Sequence, residues 1–292
     1  MCIRDRYTLT LTDGEQSVTL QHLLIGEVWL CAGQSNMVMP LNGFDYCPIS
    51  DSNNVIADAP NHPGIRMVTI KPTVKLSPQE YAEGSWQQPT TENAPKFSAA
   101  AYHYALTLQR TLQIPIGVIT CAWGGSRVEG WLPKEILQTY KDEDLTLIGS
   151  DKTPVYLQSM LMYNGILYPC HKYTIKGFIW YQGESNVRSS RTYAERLATM
   201  VKHWRSIWKQ GDLPFYYVET VPFACEYKED GYIGALLREA QQKALSLIPN
   251  SGMIGTNDLV ETYEAPQVHP HNKKGIGERL AYMSLNKTCL LY

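Results

Sequence analysis

Short apolar runs alternate along the chain with longer stretches in which apolar residues recur at helical spacing. The apolar runs are typical of buried strands and predict them at residues 28–31, 65–70, 116–122, 175–181, 214–220 and 252–256. Helical spacing predicts helices at residues 97–112, 155–168, 197–208, 236–248 and 276–283. Because strands and helices alternate, the pattern predicts an α/β fold whose parallel sheet is covered by helices on both faces.

The first 25 residues follow a different pattern, in which apolar and polar residues alternate on either side of an Asp13-Gly14 turn. Such alternation around a turn predicts a β-hairpin. Because an isolated hairpin is only marginally stable in water, we interpret residues 1–25 as the remnant of an upstream β domain. Residues 26–292 then form the main domain. Residues 1–6 and 289–292 resemble translated adapter sequence, so we expect both ends to be foreign to the fold.

Composition excludes several classes of function. Hydrophobic residues make up 44% of the chain and charged residues 18%, which is typical of a globular protein. A formal net charge of −2 offers no basic surface for nucleic acid or for an anionic membrane. No apolar stretch is long enough to predict a transmembrane helix. The seven cysteines show no CxxC or CxxH spacing, so we expect no metal site.

Four predicted strands end in turns that are rich in glycine and polar residues. These turns are Gly33-Gln34-Ser35-Asn36, Gly124-Gly125-Ser126, Gln182-Gly183-Glu184-Ser185-Asn186 and Asn257-Asp258. In a parallel sheet all the carboxyl ends of the strands lie on one edge, where open α/β folds bind their ligands. Acyl transfer needs a nucleophile, a base and oxyanion donors at one place. These turns can supply a nucleophile and oxyanion donors.

Individual residues suggest roles in such a reaction. Ser35 can be the nucleophile, although a Ser-Asn turn that only caps the next segment is the alternative. A Gly124-Gly125 turn can bring a main-chain N–H close to a carbonyl, and the Gln182 amide can donate to the same oxygen. His269 is the best base because imidazole titrates near pH 6.5. A surface loop histidine is the alternative for that residue.

Four motifs in order resemble the SGNH-hydrolase superfamily, specifically its sialate O-acetylesterase and carbohydrate acetylesterase branch. They are Gly33-Gln34-Ser35-Asn36-Met37, Trp123-Gly124-Gly125-Ser126, the stretch from Trp180 to Asn186, and His269-Pro270 with Asn272-Lys273. The resemblance implies a flavodoxin-like three-layer α/β/α sandwich with a parallel central sheet, preceded here by the residual hairpin. It implies a serine esterase that removes acetyl groups from carbohydrates through an acetyl-enzyme, without cofactor. It also implies an extracytoplasmic location, although the chain shows no signal peptide.

Carried over by motif, the resemblance makes Ser35 the nucleophile and His269 the base. The main-chain N–H groups of Ser35 and of the Gly124-Gly125 turn, with the Gln182 side chain, then form the oxyanion hole. Five further residues are expected to contact an acetylated sugar: Gln34, Asn36, Arg127, Glu184 and Asn186. For Glu184, a buried acceptor that ties the strand ends together is our structural interpretation. Arg127 can bind a sugar carboxylate or pair with Glu129 or Glu184.

One position departs from the family pattern. Many SGNH enzymes have an aspartate three residues before the catalytic histidine, and this chain has Pro266 there. We predict that Asp258, at a strand end, orients His269 instead and stabilises its imidazolium form. Glu261, Glu264 or a main-chain carbonyl are the alternatives, and the carbonyl would give a Ser–His dyad.

Three other functions stay open at this stage. The first is an acetylxylan-type esterase, and the second is a lipase or thioesterase with a longer acyl pocket. The third is a non-catalytic carbohydrate-binding domain. The oligomeric state also stays open.

Overall fold

The computed structural model of the chain defines residues 6–223, 232–264 and 266–288. Strands β1 (Tyr7–Thr12) and β2 (Ser17–Leu23) pair antiparallel as a separate two-stranded sheet, as predicted. The carboxylate of Asp13 closes the turn by accepting from the N–H groups of Glu15 and Gln16. The origin of this hairpin in an upstream domain remains a prediction. The expectation about the chain ends concerns residues 1–6 and 289–292, all of which except Arg6 lie outside the described residues, and it stays a prediction.

The main sheet contains all six strands that the apolar runs predict. They are β3 (Glu27–Gly33), β4 (Ile65–Thr69), β5 (Ile116–Ala122), β6 (Gly177–Tyr181), β7 (Phe215–Val218) and β8 (Ser251–Ile254). Every pair is parallel, and the strand order is β4-β5-β3-β6-β7-β8. Strand β3 therefore lies inside the sheet, between β5 and β6.

Helices cover both faces of this sheet and complete three layers. In chain order they are α1 (Ser35–Val38), α2 (Ser52–Asp58), α3 (Ala99–Leu112), α4 (Lys134–Leu137), α5 (Ser190–Trp208), α6 (Ile233–Leu247) and α7 (Lys273–Thr288). Helices α3 and α7 pack on one face, and α5 and α6 pack on the other. The predicted α/β/α sandwich is confirmed. Among the described residues, no helix is long and apolar enough to cross a membrane.

Strand β3 contributes to both hydrophobic cores because side chains alternate along a strand. Trp29 and Cys31 lie in the core under α3 and α7, whereas Leu30 and Ala32 lie in the core under α5 and α6. All four side chains are fully buried. A shift of one residue in the pairing of β3 would exchange these two sets, so packing on both faces fixes its register.

The helix predicted at residues 155–168 is wrong. The chain forms a single 3₁₀ turn at Val155–Leu157, a left-handed residue at Met160 with φ of 73°, and a π-helical turn at Tyr163–Leu167. At Gly165 a Cβ atom would lie 2.0 Å from the main-chain oxygen of Thr73. Close tertiary packing therefore shapes this segment, whose apolar residues are buried from Met160 to Leu167 but exposed at Val155 and Tyr156.

Candidate active site

Three of the four polar turns begin side by side at one edge of the sheet. Gly33 at the end of β3 pairs with Ala122 at the end of β5 and with Tyr181 at the end of β6. Gly33 has φ of 142°, and a Cβ atom there would lie 2.1 Å from the main-chain oxygen of Tyr181. Only glycine fits this position, and it lets the chain turn sharply into Ser35.

Ser35 begins helix α1 and is half-buried. The first N–H groups of a helix have no acceptor within the helix, so the Ser35 N–H can donate elsewhere. Gly124 lies against this serine, since a Cβ atom at Gly124 would be 3.7 Å from the Ser35 Cβ. Within the described residues, no hydrogen bond uses the N–H of Gly124 or Gly125. The serine and the predicted Gly-Gly turn are therefore brought together.

His269 precedes helix α7 and is 8% exposed. Its ring lies edge-on to Phe44, with ring centroids 5.2 Å apart. The Asn36 Nδ2 donates to the main-chain oxygen of Val268 at 2.9 Å. This bond joins the residue after Ser35 to the residue before His269, so the two predicted catalytic segments are in contact.

No hydrogen bond joins His269 to Ser35, because neither ring nitrogen of His269 has a partner among the described residues. Both nitrogens are nevertheless buried. Hydrogen bonds of this kind are often long in free enzymes and tighten when substrate binds. The imidazole is therefore available as an acceptor.

A buried polar network lies beneath the serine turn. The Asn36 Nδ2 also donates to Glu184 Oε1 at 2.7 Å, and Lys273 Nζ donates to Asn36 Oδ1 at 2.7 Å and to the Pro270 carbonyl at 2.8 Å. Burial raises the pKa of Glu184 and lowers that of Lys273 to about 7. As interpreted from the sequence, Glu184 ties the β3 and β6 turns together. Lys273 extends this tie to the loop that carries His269.

The pH dependence of activity should report the burial of His269. Burial, with the positive charge of Lys273, lowers the pKa of His269 to about 4. The general base predicted from the sequence must be neutral to accept a proton, so kcat/KM for p-nitrophenyl acetate is expected to fall only as the pH drops through about 4. Enzyme returned from the acidic buffer to neutral pH must regain full activity, which excludes unfolding as the cause. A fall near pH 6.5 instead would mean that the imidazole is solvated.

Gln182 does not have the predicted free amide. Its Nε2 donates to the Ser126 carbonyl at 3.0 Å and to Asn186 Oδ1 at 2.8 Å, and its Oε1 accepts from the Tyr193 hydroxyl at 2.9 Å. An amide nitrogen carries two hydrogens, so none is left for an oxyanion. The prediction of an oxyanion donor is corrected: Gln182 holds the β5 and β6 turns together.

Four of the five residues expected to contact substrate are buried and bonded between the turns instead. These four are Gln34, Asn36, Glu184 and Asn186. The Gln34 Oε1 accepts from the N–H groups of Gly183 and Ser185, at 3.2 and 3.3 Å. The Asn186 Oδ1 accepts from the Val128 N–H at 2.9 Å. These side chains fix the shape of the turns.

Arg127 pairs with carboxylates of its own chain. Its Nη2 lies 2.7 Å from Glu143 Oε1, its Nη1 lies 3.7 Å from Glu129 Oε2, and its Nε donates to the Leu157 carbonyl at 3.0 Å. The pairing with Glu129 was one of the two alternatives, but Glu143 is the nearer partner. The structure therefore does not leave the guanidinium open to a sugar carboxylate.

Asp258 is not brought to His269. Its side chain is 68% exposed and forms a two-point ion pair with Arg279 of helix α7, with an Nη1–Oδ1 distance of 2.7 Å. Hydrogen bonds from Arg279 lower the pKa of Asp258. Neither ring nitrogen of His269 has a hydrogen-bond partner among the described residues, so Asp258 does not bond to it. The prediction that Asp258 orients His269 is corrected.

The two glutamates considered as alternatives, Glu261 and Glu264, form no hydrogen bond with the His269 ring either. Glu264 accepts from the N–H groups of Glu261 and His271, at 3.0 and 2.7 Å, and its Oε1 lies 2.6 Å from His271 Nδ1. Glu264 thus holds the loop two residues beyond the predicted base. No main-chain carbonyl of the described residues accepts from the His269 ring.

Lys273 is the residue of this site to which sequence analysis gave no role. It is fully buried at the start of α7. A signal was available, because Lys273 lies three and seven residues before Ile276 and Leu280, on the stripe that faces the core. A lysine on that stripe requires buried acceptors, which Asn36 and Pro270 supply.

A cavity of about 210 Å³ lies on the Gly124 side of Ser35. Val38 of the serine helix, Trp123 and Gly124 of the β5 turn, and Ser98 and Thr120 line part of it. It is smaller than most ligand pockets, which begin near 300 Å³. Ser35 itself does not line this space, but Gly124, which does, lies against Ser35.

Comparisons with known proteins identify the family of this chain. The family model of carbohydrate esterases described as sialic acid-specific acetylesterases matches residues 25–286. The sialate O-acetylesterase of Homo sapiens is 26% identical over 288 residues, covering 90% of this chain and 54% of that protein. That of Mus musculus is 25% identical over 320 residues, covering 92% and 58%. The chain thus spans little more than half the length of these curated relatives.

Solved structures with a similar fold were also found. A carbohydrate acetylesterase from Xanthomonas citri superposes with a TM-score of 0.83 at 30% identity, covering 96% of this chain and 60% of that one. A protein from Arabidopsis thaliana shares the fold, with a TM-score of 0.61 at 19% identity over 90% of this chain and 99% of that one. From the extent of the family match, the chain belongs to the carbohydrate esterase, sialic acid-specific acetylesterase family.

Proposed function

We propose that the chain is a serine O-acetylesterase that acts on acetylated carbohydrates, with Ser35 as nucleophile and His269 as base. The observation that carries this proposal is the hydrogen bond from Asn36 to Val268, which brings the two segments together beside Gly124. Membership of a carbohydrate esterase family supports it. An extracytoplasmic site of action remains part of the proposal and is supported by the family resemblance alone.

In the proposed reaction the Ser35 Oγ attacks the acetyl carbonyl while His269 takes the hydroxyl proton. The carbonyl oxygen gains negative charge and accepts from the N–H groups of Ser35 and of the Gly124-Gly125 turn. His269 then gives its proton to the departing sugar oxygen, which leaves an acetyl group on Ser35. Water activated by His269 releases acetate and restores the serine. His269 acts here without a carboxylate partner among the described residues.

Two measurements test this function directly. A serine-directed phosphonate should label Ser35 in the folded protein, and prior unfolding should abolish the label. The 210 Å³ cavity should also favour acetyl over octanoyl p-nitrophenyl esters. No adduct at Ser35 would favour a non-catalytic binding domain. Faster cleavage of the octanoyl ester would favour a lipase or thioesterase.

Alanine at Gly125 should lower kcat by at least tenfold, up to about 10²–10³ if a main-chain oxyanion donor is displaced. Gly125 has φ of 75°, and a Cβ atom there would lie 2.7 Å from Tyr156 Cδ2. Gly211 has φ of 76° with open space around it, so Gly211→Ala carries the same backbone strain away from the site. Comparing kcat and thermal stability of the two variants isolates the site effect. Equal loss of activity in both would remove the turn from the mechanism.

A further inference from the structure

A second cavity, of about 380 Å³, opens on the other side of the site. Its lining includes His269, Tyr46, Tyr263, Gln267, Ser50 and His271. Its volume falls within the range of small-molecule sites. It lies on the His269 side, whereas the 210 Å³ cavity lies on the Gly124 side.

The proposed reaction assigns a different part of the substrate to each cavity, the acetyl group to one and the leaving sugar to the other. The histidine that takes the serine proton must later deliver it to the leaving oxygen, so that oxygen has to contact His269. The leaving sugar therefore extends from the acyl carbon toward the cavity that His269 lines. The acetyl group stays beside Gly124.

Two exposed tyrosines frame the cavity. Tyr46 is 66% exposed, and its ring stacks on Phe44 at 5.9 Å and lies 6.2 Å from the His269 ring. Tyr263 is 73% exposed and stacks on His271 at 6.0 Å with an interplanar angle of 13°. Exposed rings held in place by neighbouring rings present flat apolar faces with a polar edge, which suits the faces and hydroxyls of a sugar.

Polar groups of the cavity complement hydroxyls rather than a carboxylate. The Gln267 amide oxygen accepts from Cys47 Sγ at 3.3 Å, and no hydrogen bond within the described residues uses its N–H₂ group. Glu264 lines the cavity; burial raises its pKa, but hydrogen bonds from Glu261 and His271 lower it by more, and its carboxylate pairs with the His271 ring. No Lys or Arg is among the described residues that line the cavity.

We propose that this cavity is the leaving-group subsite and that it takes an uncharged sugar ring between Tyr46 and Tyr263. This assignment rests on the proposed esterase function and specifies its substrate class. A sialate carboxylate placed here would find no Lys or Arg among the described lining residues, and so no two-point arginine contact of the kind that carboxylate recognition uses.

The first test measures kcat/KM for an O-acetylated methyl xyloside and for ethyl acetate, whose leaving group cannot reach the tyrosines. Tyr46→Ala and Tyr263→Ala should each lower the ratio of the sugar ester to ethyl acetate by about tenfold, the size of one aromatic contact. Tyr282→Ala, an exposed tyrosine of α7 outside the cavity, is the matched control and should leave the ratio unchanged. An unchanged ratio in the Tyr46 and Tyr263 variants would overturn the subsite.

The second test isolates charge on one ring. Wild-type protein is assayed with an O-acetylated sialic acid and with its carboxyl methyl ester. The methyl ester should give the higher kcat/KM, by roughly fivefold or more, because a carboxylate that loses water without gaining a Lys or Arg partner costs free energy. Preference for the free acid, or equal rates, would overturn the uncharged-sugar assignment.

A binding measurement separates failure of the subsite from failure of the esterase mechanism. Calorimetry with the acetylated xyloside uses Ser35→Ala, with and without Tyr46→Ala. Binding that weakens about tenfold with the tyrosine change supports the subsite even if wild-type protein cleaves no ester. Ester cleavage by wild-type protein with no such weakening would keep the esterase and remove the subsite.

Discussion

Ser35→Ala is expected to lower kcat for p-nitrophenyl acetate by on the order of 10⁴ or more while the protein stays folded. In the proposed mechanism this hydroxyl attacks the acetyl carbon, so its loss removes the covalent route. No hydrogen bond within the described residues depends on the Ser35 hydroxyl, and the side chain is half-buried, so little stability should be lost. Steady-state kinetics and a denaturant midpoint measured on the same preparation check both statements.

Ser206→Ala is the matched control for this substitution. Ser206 is exposed on α5, and its hydroxyl donates to the His203 carbonyl of the same helix at 2.7 Å. Its kcat should equal that of the wild-type protein. Activity of Ser35→Ala within tenfold of wild type would rule out the serine as nucleophile.

Lys273→Met is expected to lower the free energy of unfolding by roughly 3–5 kcal/mol, as removal of one member of a buried charged network does. The change leaves Asn36 Oδ1 and the Pro270 carbonyl without their donor, and leaves Glu184 without a nearby positive charge. Guanidinium titrations against Lys274→Met, which alters the exposed neighbour, measure the difference. Equal stability of the two variants would mean that desolvation of Lys273 cancels its bonds.

The same lysine should give a pH signature. Its pKa falls from 10.5 to about 7 on burial, so between these values the unfolded chain binds more protons than the folded one. Stability of the wild-type protein should therefore gain from this group as the pH rises from about 7 toward 10.5. That gain should be absent in Lys273→Met and present in Lys274→Met.

The sheet and the position of the serine turn were predictable because their causes are local. Apolar runs predicted all six strands, and Gly33 marked the place where β3 must turn beneath Tyr181. Short motifs then identified three turns that share one edge. The segment at residues 155–168 was not predictable, because Gly165 packs against a main-chain oxygen far away in sequence.

Side-chain roles within the site were less predictable, because each depends on which partner lies nearest in space. Asp258 pairs with Arg279 on α7, and Arg127 pairs with Glu143. Gln182 donates both amide hydrogens within the protein, to the Ser126 carbonyl and to Asn186 Oδ1. The sequence correctly placed each of these side chains in or next to a polar turn. Spacing along the chain does not show which other side chains will bond to them instead of the substrate or His269.

The bond between Asn36 and Lys273 spans 237 positions, so the ribosome finishes the two halves of the site at very different times. At translation speeds of 5–20 residues per second, roughly 10–50 s separate the synthesis of the two residues. During that interval the serine turn of the nascent chain lacks Lys273, which bonds to Asn36 in the folded protein. The proposed esterase activity of a growing chain should therefore appear only after helix α7 has left the ribosome.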